Sequence, residues 1–219
     1  MDEEELKIIK DDMKEVIKGI LEKYLSCRTF MQDKVKSWGD DIMQKIYQQL
    51  KEIYPHYGYG IFFYMSDTTA YVSNHKAIYY QQTDVFLLVS HKTDDFYSEI
   101  RLIAFFKRNN HPNFSSFMLN NQDFFINVNN KLFDYLIGRT FDFEKFSDII
   151  FDILKDVNKM LTSRENYPCS SIIGYINRQP EKGVCFHHKF FDLEYSPVLF
   201  EYSNDSFICR LFLFLVNND

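Results

Sequence analysis

The sequence predicts an α+β fold made of two tandem units, each with two helices followed by a four-stranded antiparallel sheet. Three observations lead there. The motif YLSCRTF at Tyr24–Phe30 returns as YLIGRTF at Tyr135–Phe141, 111 residues later (135 − 24), with five of seven letters unchanged. Apolar stripes at helical spacing flank both copies in the same register. Beyond the stripes, each half changes to short runs rich in β-branched and aromatic residues.

The elements follow in order. Met13, Ile17, Leu21 and Tyr24 are spaced 4, 4, 3 and predict the first helix; their counterparts are Phe124, Val128, Leu132 and Tyr135. Val35, Trp38, Ile42, Ile46, Leu50 and Ile53 predict the second, and the first five return as Phe146, Ile149, Ile153, Val157 and Leu161. Polar identities hold the same offset: Asp12/Asp123, Lys34/Lys145, Asp41/Asp152 and Tyr64/Tyr175. The repeated motif therefore ends helix one and enters helix two, with Arg28 and Arg139 expected to fix that corner. Four strand runs follow in each half: GYGIFFYM, AYVSNH, DVFLLVSH and FYSEIRLIAFF, then SSIIGYIN, GVCFHHKFF, SPVLFEYS and SFICRLFLFLV. SDTT and RQPEKG read as hairpin turns between the first two runs of each half. Arg101 and Arg210 both interrupt the last run, at an offset of 109 (210 − 101), which suggests a loop deletion in the second half. SEIRLIAFF alternates only partly, as a strand covered on both faces does. The polar segment KRNNHPNFSS is the best boundary, giving units at 1–108 and 109–219.

Composition narrows the function. Aromatics reach 18%, which suits strands and a bulky core. The net charge of −6 and the lack of a Lys/Arg run argue against nucleic acid or an anionic membrane as partner. MDEEELK is acidic and has no apolar stretch, so no signal peptide is expected, and no apolar run is long enough for a membrane span. Cys27, Cys169, Cys185 and Cys209 form no CxxC and read as reduced thiols in a cytoplasmic protein.

No catalytic motif is present: GxSxG, HExxH, a P-loop and GxGxxG are all missing, and with seven glycines a phosphate cradle is hard to build. An enzyme is not expected. Neither is a cofactor or metal, because His187 and His188, adjacent on a strand, point to opposite faces. Asp40-Asp41 and Asp94-Asp95 read as solvated helix or turn residues. DVFLLVS and SPVLFEYS carry few charges and as open edges would aggregate, so something should cover them.

The element order and its landmarks resemble the Tctex-type dynein light chains. KVKSWGDDIMQKIYQQLKEI places Trp38 where that family's second helix has a Trp; GYGIFFYM follows as its first strand, and Asp84 in QQTDVFLLV precedes the third. The likeness covers residues 5–106 well and 115–216 more weakly. Ile149 stands at the Trp position of the second half, Gly58 where a lysine is usual, and Ile78-Tyr79-Tyr80 near a missing Trp-Asp pair.

The resemblance implies a non-catalytic dynein light chain, cytoplasmic or axonemal, located in the cytoplasm and cytoskeleton and extending to a cilium or flagellum axoneme. It would bind a dynein intermediate chain, or another light chain, by adding a strand to a sheet edge. Family members exchange a strand between subunits, so two fused units are expected to pair as an intrachain pseudo-dimer or as a light-chain heterodimer. The positions singled out alternate along strands two and three of both units: Tyr71, Ser73, Val85 and Leu87, then Phe186, His188, Val198 and Phe200. The alternative is a dynein-independent cytosolic scaffold or cargo adaptor with the same fold. An α+β small-molecule enzyme, the third reading, would need convergent titratable groups in a polar pocket.

Overall fold

A computed structural model describes residues 2–67, 73–78, 84–107, 120–140, 142–163, 169–178, 184–193 and 197–216. Tyr71, residues 108–116 of the expected boundary, and residues 68–69 and 179–183 of the two expected turns lie outside these residues. The elements are α1 (Glu3–Leu25), α2 (Gln32–Ile53), β1 (Tyr57–Asp67), β2 (Ser73–Ile78), β3 (Val85–Lys92) and β4 (Phe96–Phe106). They are followed by α3 (Gln122–Leu136), α4 (Phe143–Thr162), β5 (Cys169–Arg178), β6 (Val184–Phe191), β7 (Val198–Ser203) and β8 (Phe207–Val216). The class is α+β with antiparallel sheets.

The two compact units interleave along the chain. One comprises Met1–Tyr71, Gln82–Lys107 and Glu181–Glu194, the other Val72–Gln81, Arg108–Pro180 and Tyr195–Asp219. The reason lies in the strand order. The first sheet runs β3-β4-β1-β6 and the second β2-β5-β8-β7. Each sheet therefore takes its fourth strand from the other half of the sequence. β1 and β2, like β5 and β6, belong to different sheets, so neither pair forms the expected hairpin.

In the first unit, α1 starts on a reciprocal cap. The Asp2 side chain accepts from the Glu5 N–H at 2.8 Å and the Glu5 carboxylate from the Asp2 N–H at 3.0 Å. Met13, Ile17 and Leu21 are fully buried, as are Val35, Ile42, Ile46 and Leu50 of α2. Ile53, expected in that stripe, is exposed at the last helical turn. Between the helices the Arg28 N–H donates to the Leu25 carbonyl at 3.0 Å, and the Arg28 guanidinium sits 4.6 Å from the centre of the Trp38 ring. The helices cover one sheet face, where Tyr59, Ile61, Phe63, Ile100 and Leu102 are buried. Phe62, Tyr64, Ile103 and Phe105 on the opposite face are buried as well, which explains the weak alternation of SEIRLIAFF. Glu99 and Arg101 pair on that face and are almost wholly buried.

The second unit has the same plan. Phe124, Val128 and Leu132 of α3 and Phe146, Ile153, Val157 and Leu161 of α4 are buried against Ile172, Ile176, Leu211 and Leu213. Its helix corner repeats the backbone bond, Arg139 N–H to the Leu136 carbonyl at 3.2 Å, with Gly138 in the left-handed region at φ 69°. The Asp142 side chain caps α4 by accepting from the Lys145 N–H.

Register corrects one expectation. Asp67 pairs with Phe96 and Arg178 with Phe207; Tyr64 pairs with Glu99 and Tyr175 with Arg210. The offset of 111 thus persists to the last strand, no residue is deleted, and the counterpart of Arg101 is Phe212. The hairpins agree. Thr93 Oγ1 accepts from the N–H of Asp95 and Phe96, and Asn204 Oδ1 from the N–H of Ser206 and Phe207.

One pair of positions trades volume between the halves. Gly39 of α2 faces Phe63 of β1 so closely that a Cβ would stand 2.5 Å from the ring. At the corresponding positions Ile150 of α4 faces Gly174 of β5, where a Cβ would lie 3.0 Å from Ile150. Each contact holds one large and one absent side chain, in opposite order. Gly39→Ile should therefore destabilise by about 2–3 kcal/mol through overpacking, and Phe63→Gly by about 3–5 kcal/mol through a cavity. The double variant should recover at least about 1 kcal/mol of that sum in a urea-denaturation cycle; purely additive losses would show that the two positions do not share one space.

Candidate functional site

The exchanged strand and the sheet edges are the features with functional content. Strand β6 runs antiparallel to β1, from Tyr59 opposite Phe191 to Ser66 opposite Val184. Its alternate residues face two ways. His187, Lys189 and Phe191 turn toward α2. Lys189 pairs with Asp40 at 2.9 Å, and Phe191 stacks on Tyr47 with ring centres 4.3 Å apart. Phe186, His188 and Phe190 lie on the other face around Phe62, with ring centres 5.9–6.2 Å away. Partial burial pushes the His187 imidazole below its usual range, against the opposing pull of Asp40.

The strand ends in an anchor at Asp192, whose φ is 52°. Its carboxylate accepts from Lys51 at 2.8 Å, from the Tyr47 hydroxyl at 2.9 Å and from Lys107 at 3.4 Å. The Lys51 bond, foremost, holds Asp192 below the ordinary carboxylate range and lifts Lys51 well above the lysine range. Gly58 makes room: a Cβ there would stand 2.7 Å from the Asp192 carbonyl oxygen. Any larger residue at position 58 would meet this backbone oxygen. At the same offset Tyr47 and Lys51 become Asn158 and Thr162, so the second unit cannot build this anchor.

Val85 and Leu87 sit in the core under α1, at one end of the first sheet. Phe186 and His188 are half-buried at its other end. Ser73 lies on β2 at one end of the second sheet, opposite Asn177. Val198 (half-buried) and Phe200 (buried) lie on β7 at the other end. The seven described positions are therefore spread over the terminal strands and form no single groove.

The residues that sequence reasoning missed are the outward ones. The Thr93–Phe96 bond closes the first hairpin, so antiparallel alternation turns the backbone N–H and C=O of Leu88 and Ser90 away from β4. The matching Asn204–Phe207 bond turns those of Leu199, Glu201 and Ser203 away from β8. Leu88 and Leu199 occupy equivalent positions and are 38% and 45% exposed. Each side chain stands beside outward backbone groups, as strand addition requires. The hairpin parity that reveals this needs the turn residues, which the strand patterns alone do not supply.

Among the described residues no His, Cys, Asp and Glu cluster could hold a metal ion, and no helix is long and apolar enough to cross a membrane. Residues 7–105 match the model of the Tctex-1 family. That match runs through both helices and all four strands of the first half of the sequence. No curated protein matches the chain significantly.

Because the Asp192 carboxyl has a lowered folded pKa, it stabilises the fold above the ordinary carboxylate value of 3.8, and that contribution is lost as pH falls through the depressed value. Asp192→Asn should cost about 1 kcal/mol at pH 7 after solvent screening. The gap between variant and parent should close below pH 3.8 in thermal melts, and an unchanged gap would rule out the anchor.

Proposed function

We propose that the chain is a non-catalytic light chain of the dynein type in which two Tctex-like units are fused. In this reading it is a one-chain counterpart of a strand-exchanged dimer. The carrying observation is the reciprocal strand order, β3-β4-β1-β6 and β2-β5-β8-β7, together with the Tctex-1 match over residues 7–105. Fusion makes the exchange intramolecular, at an effective concentration of roughly millimolar, so it survives dilution. The constant offset through both sheets supports the reading of the second half as a second copy.

The partner is a dynein intermediate chain or another light chain, added as a strand to β3 or β7, in the cytoplasm or at an axoneme. Of the positions first singled out, Val85, Leu87, Val198 and Phe200 would support these edges from beneath. Leu88 and Leu199 would meet the incoming strand directly.

Affinity purification of the tagged protein from its own cells, read by mass spectrometry, should recover dynein intermediate and heavy chains. Leu88→Pro and Leu199→Pro each remove one outward N–H and leave the internal ladder whole, which edge strands tolerate. One of the two, or both together, should cut recovery about tenfold, with an unchanged circular-dichroism spectrum. Clean recovery of partners without any dynein subunit would replace this reading with a dynein-independent adaptor.

A further inference from the structure

The two outer edges are flanked by helices of opposite chemistry. Beside β3, a groove of about 390 Å³ is lined by Lys14, Glu15, Lys18 and Glu22 of α1 and by Leu88, Ser90 and His91 of β3. The order around α1 decides its character. Leu21 is buried, and at about 100° per residue Lys14 lies about 20° round from it and Lys18 about 60°. Glu22 and Glu15 follow at about 100° and 120°, toward solvent. The lysines are thus the charges next to the sheet. Among the described residues neither Lys14 nor Lys18 has an ion-pair partner within 4.0 Å. On α3 the same positions are Phe125 and Asn129, with Ile126 and Phe133 in place of the two glutamates. Phe125 stacks on Phe200 and Phe133 packs edge-on to Tyr202, so the second edge carries no basic side chain there.

Resting on the edge-pairing reading above, we infer that the α1–β3 groove selects an extended segment with acidic residues at alternate positions. A strand added to β3 turns every second side chain toward α1. Residues two apart on such a strand are separated by about 6.8 Å, and Lys14 and Lys18, one helical turn apart, by about 6 Å along the axis. One Asp or Glu can therefore meet each lysine while the backbone bonds to Leu88 and Ser90. The apolar flank of β7 offers nothing to an acidic strand, so the two edges take different partners.

Fluorescence anisotropy with three labelled twelve-residue peptides tests this. One alternates Glu with Val and Thr; the others carry Gln or Lys in place of Glu. The Glu peptide should bind the full chain at least about tenfold more tightly than the Gln peptide, and more weakly as salt rises. Lys14→Glu with Lys18→Glu, both at exposed positions, should reverse the preference toward the Lys peptide. Leu88→Pro should abolish binding, and Leu199→Pro should leave it intact. Equal binding of all three peptides, each still lost in Leu88→Pro, would overturn the acidic preference and leave edge pairing standing. Binding indifferent to Leu88→Pro, or none by any peptide, would overturn both.

Discussion

Everything in this molecule depends on the closing of two sheets by strands that come from the wrong half of the sequence. β1 and β5 lie next to the end of their sheets, and each has a long, mostly buried edge. A buried edge cannot leave its backbone groups without partners, at about 1–3 kcal/mol for each unsatisfied group. β6 and β2 supply those partners over eight and six residues. β6 also packs on α2, as the stacking of Phe191 on Tyr47 shows. A cut between the halves would therefore remove a strand from each sheet, and neither half of the sequence is a self-sufficient structural unit.

The halves share a plan but not a chemistry. The exchange of volume at Gly39/Phe63 and Ile150/Gly174 keeps one helix-to-strand distance with two different side-chain solutions. The anchor of Asp192 with Lys51, Tyr47 and Lys107 holds β6 alone. On the proposed reading as a fused pair, each edge can take its own task, whereas a homodimer must satisfy both edges with one sequence.

Much of the fold was legible. The stripes at Met13, Ile17 and Leu21 and at Phe124, Val128 and Leu132 named the buried helix faces because a 3.6-residue period is local information. The motif around Arg28 and Arg139 marked the helix corners for the same reason. The strand exchange was not legible in the residues: pairing β1 with β6 and pairing it with β2 bury much the same side chains, so hydrophobic pattern cannot separate them. The supposed deletion before Arg210 came from matching letters where register, not identity, decides equivalence. The outward edge positions were not legible either. Val85 and Leu87 are the apolar-looking choices and are buried; the outward set, Leu88 and Ser90, follows only from the hairpin turn.

The exchange also sets the order of events while the chain is being made. The ribosome releases β1 about 120 residues before its partner β6, which at ordinary synthesis rates is a wait of roughly 6–25 s. Throughout that interval GYGIFFYM lacks its native neighbour on one side, and the pairing open to it nearby is a non-native one with β2. Both sheets become complete only when the second half has emerged, so native contacts of very long sequence separation come last. A chain that stops before β6 therefore carries a first sheet with one edge unfilled.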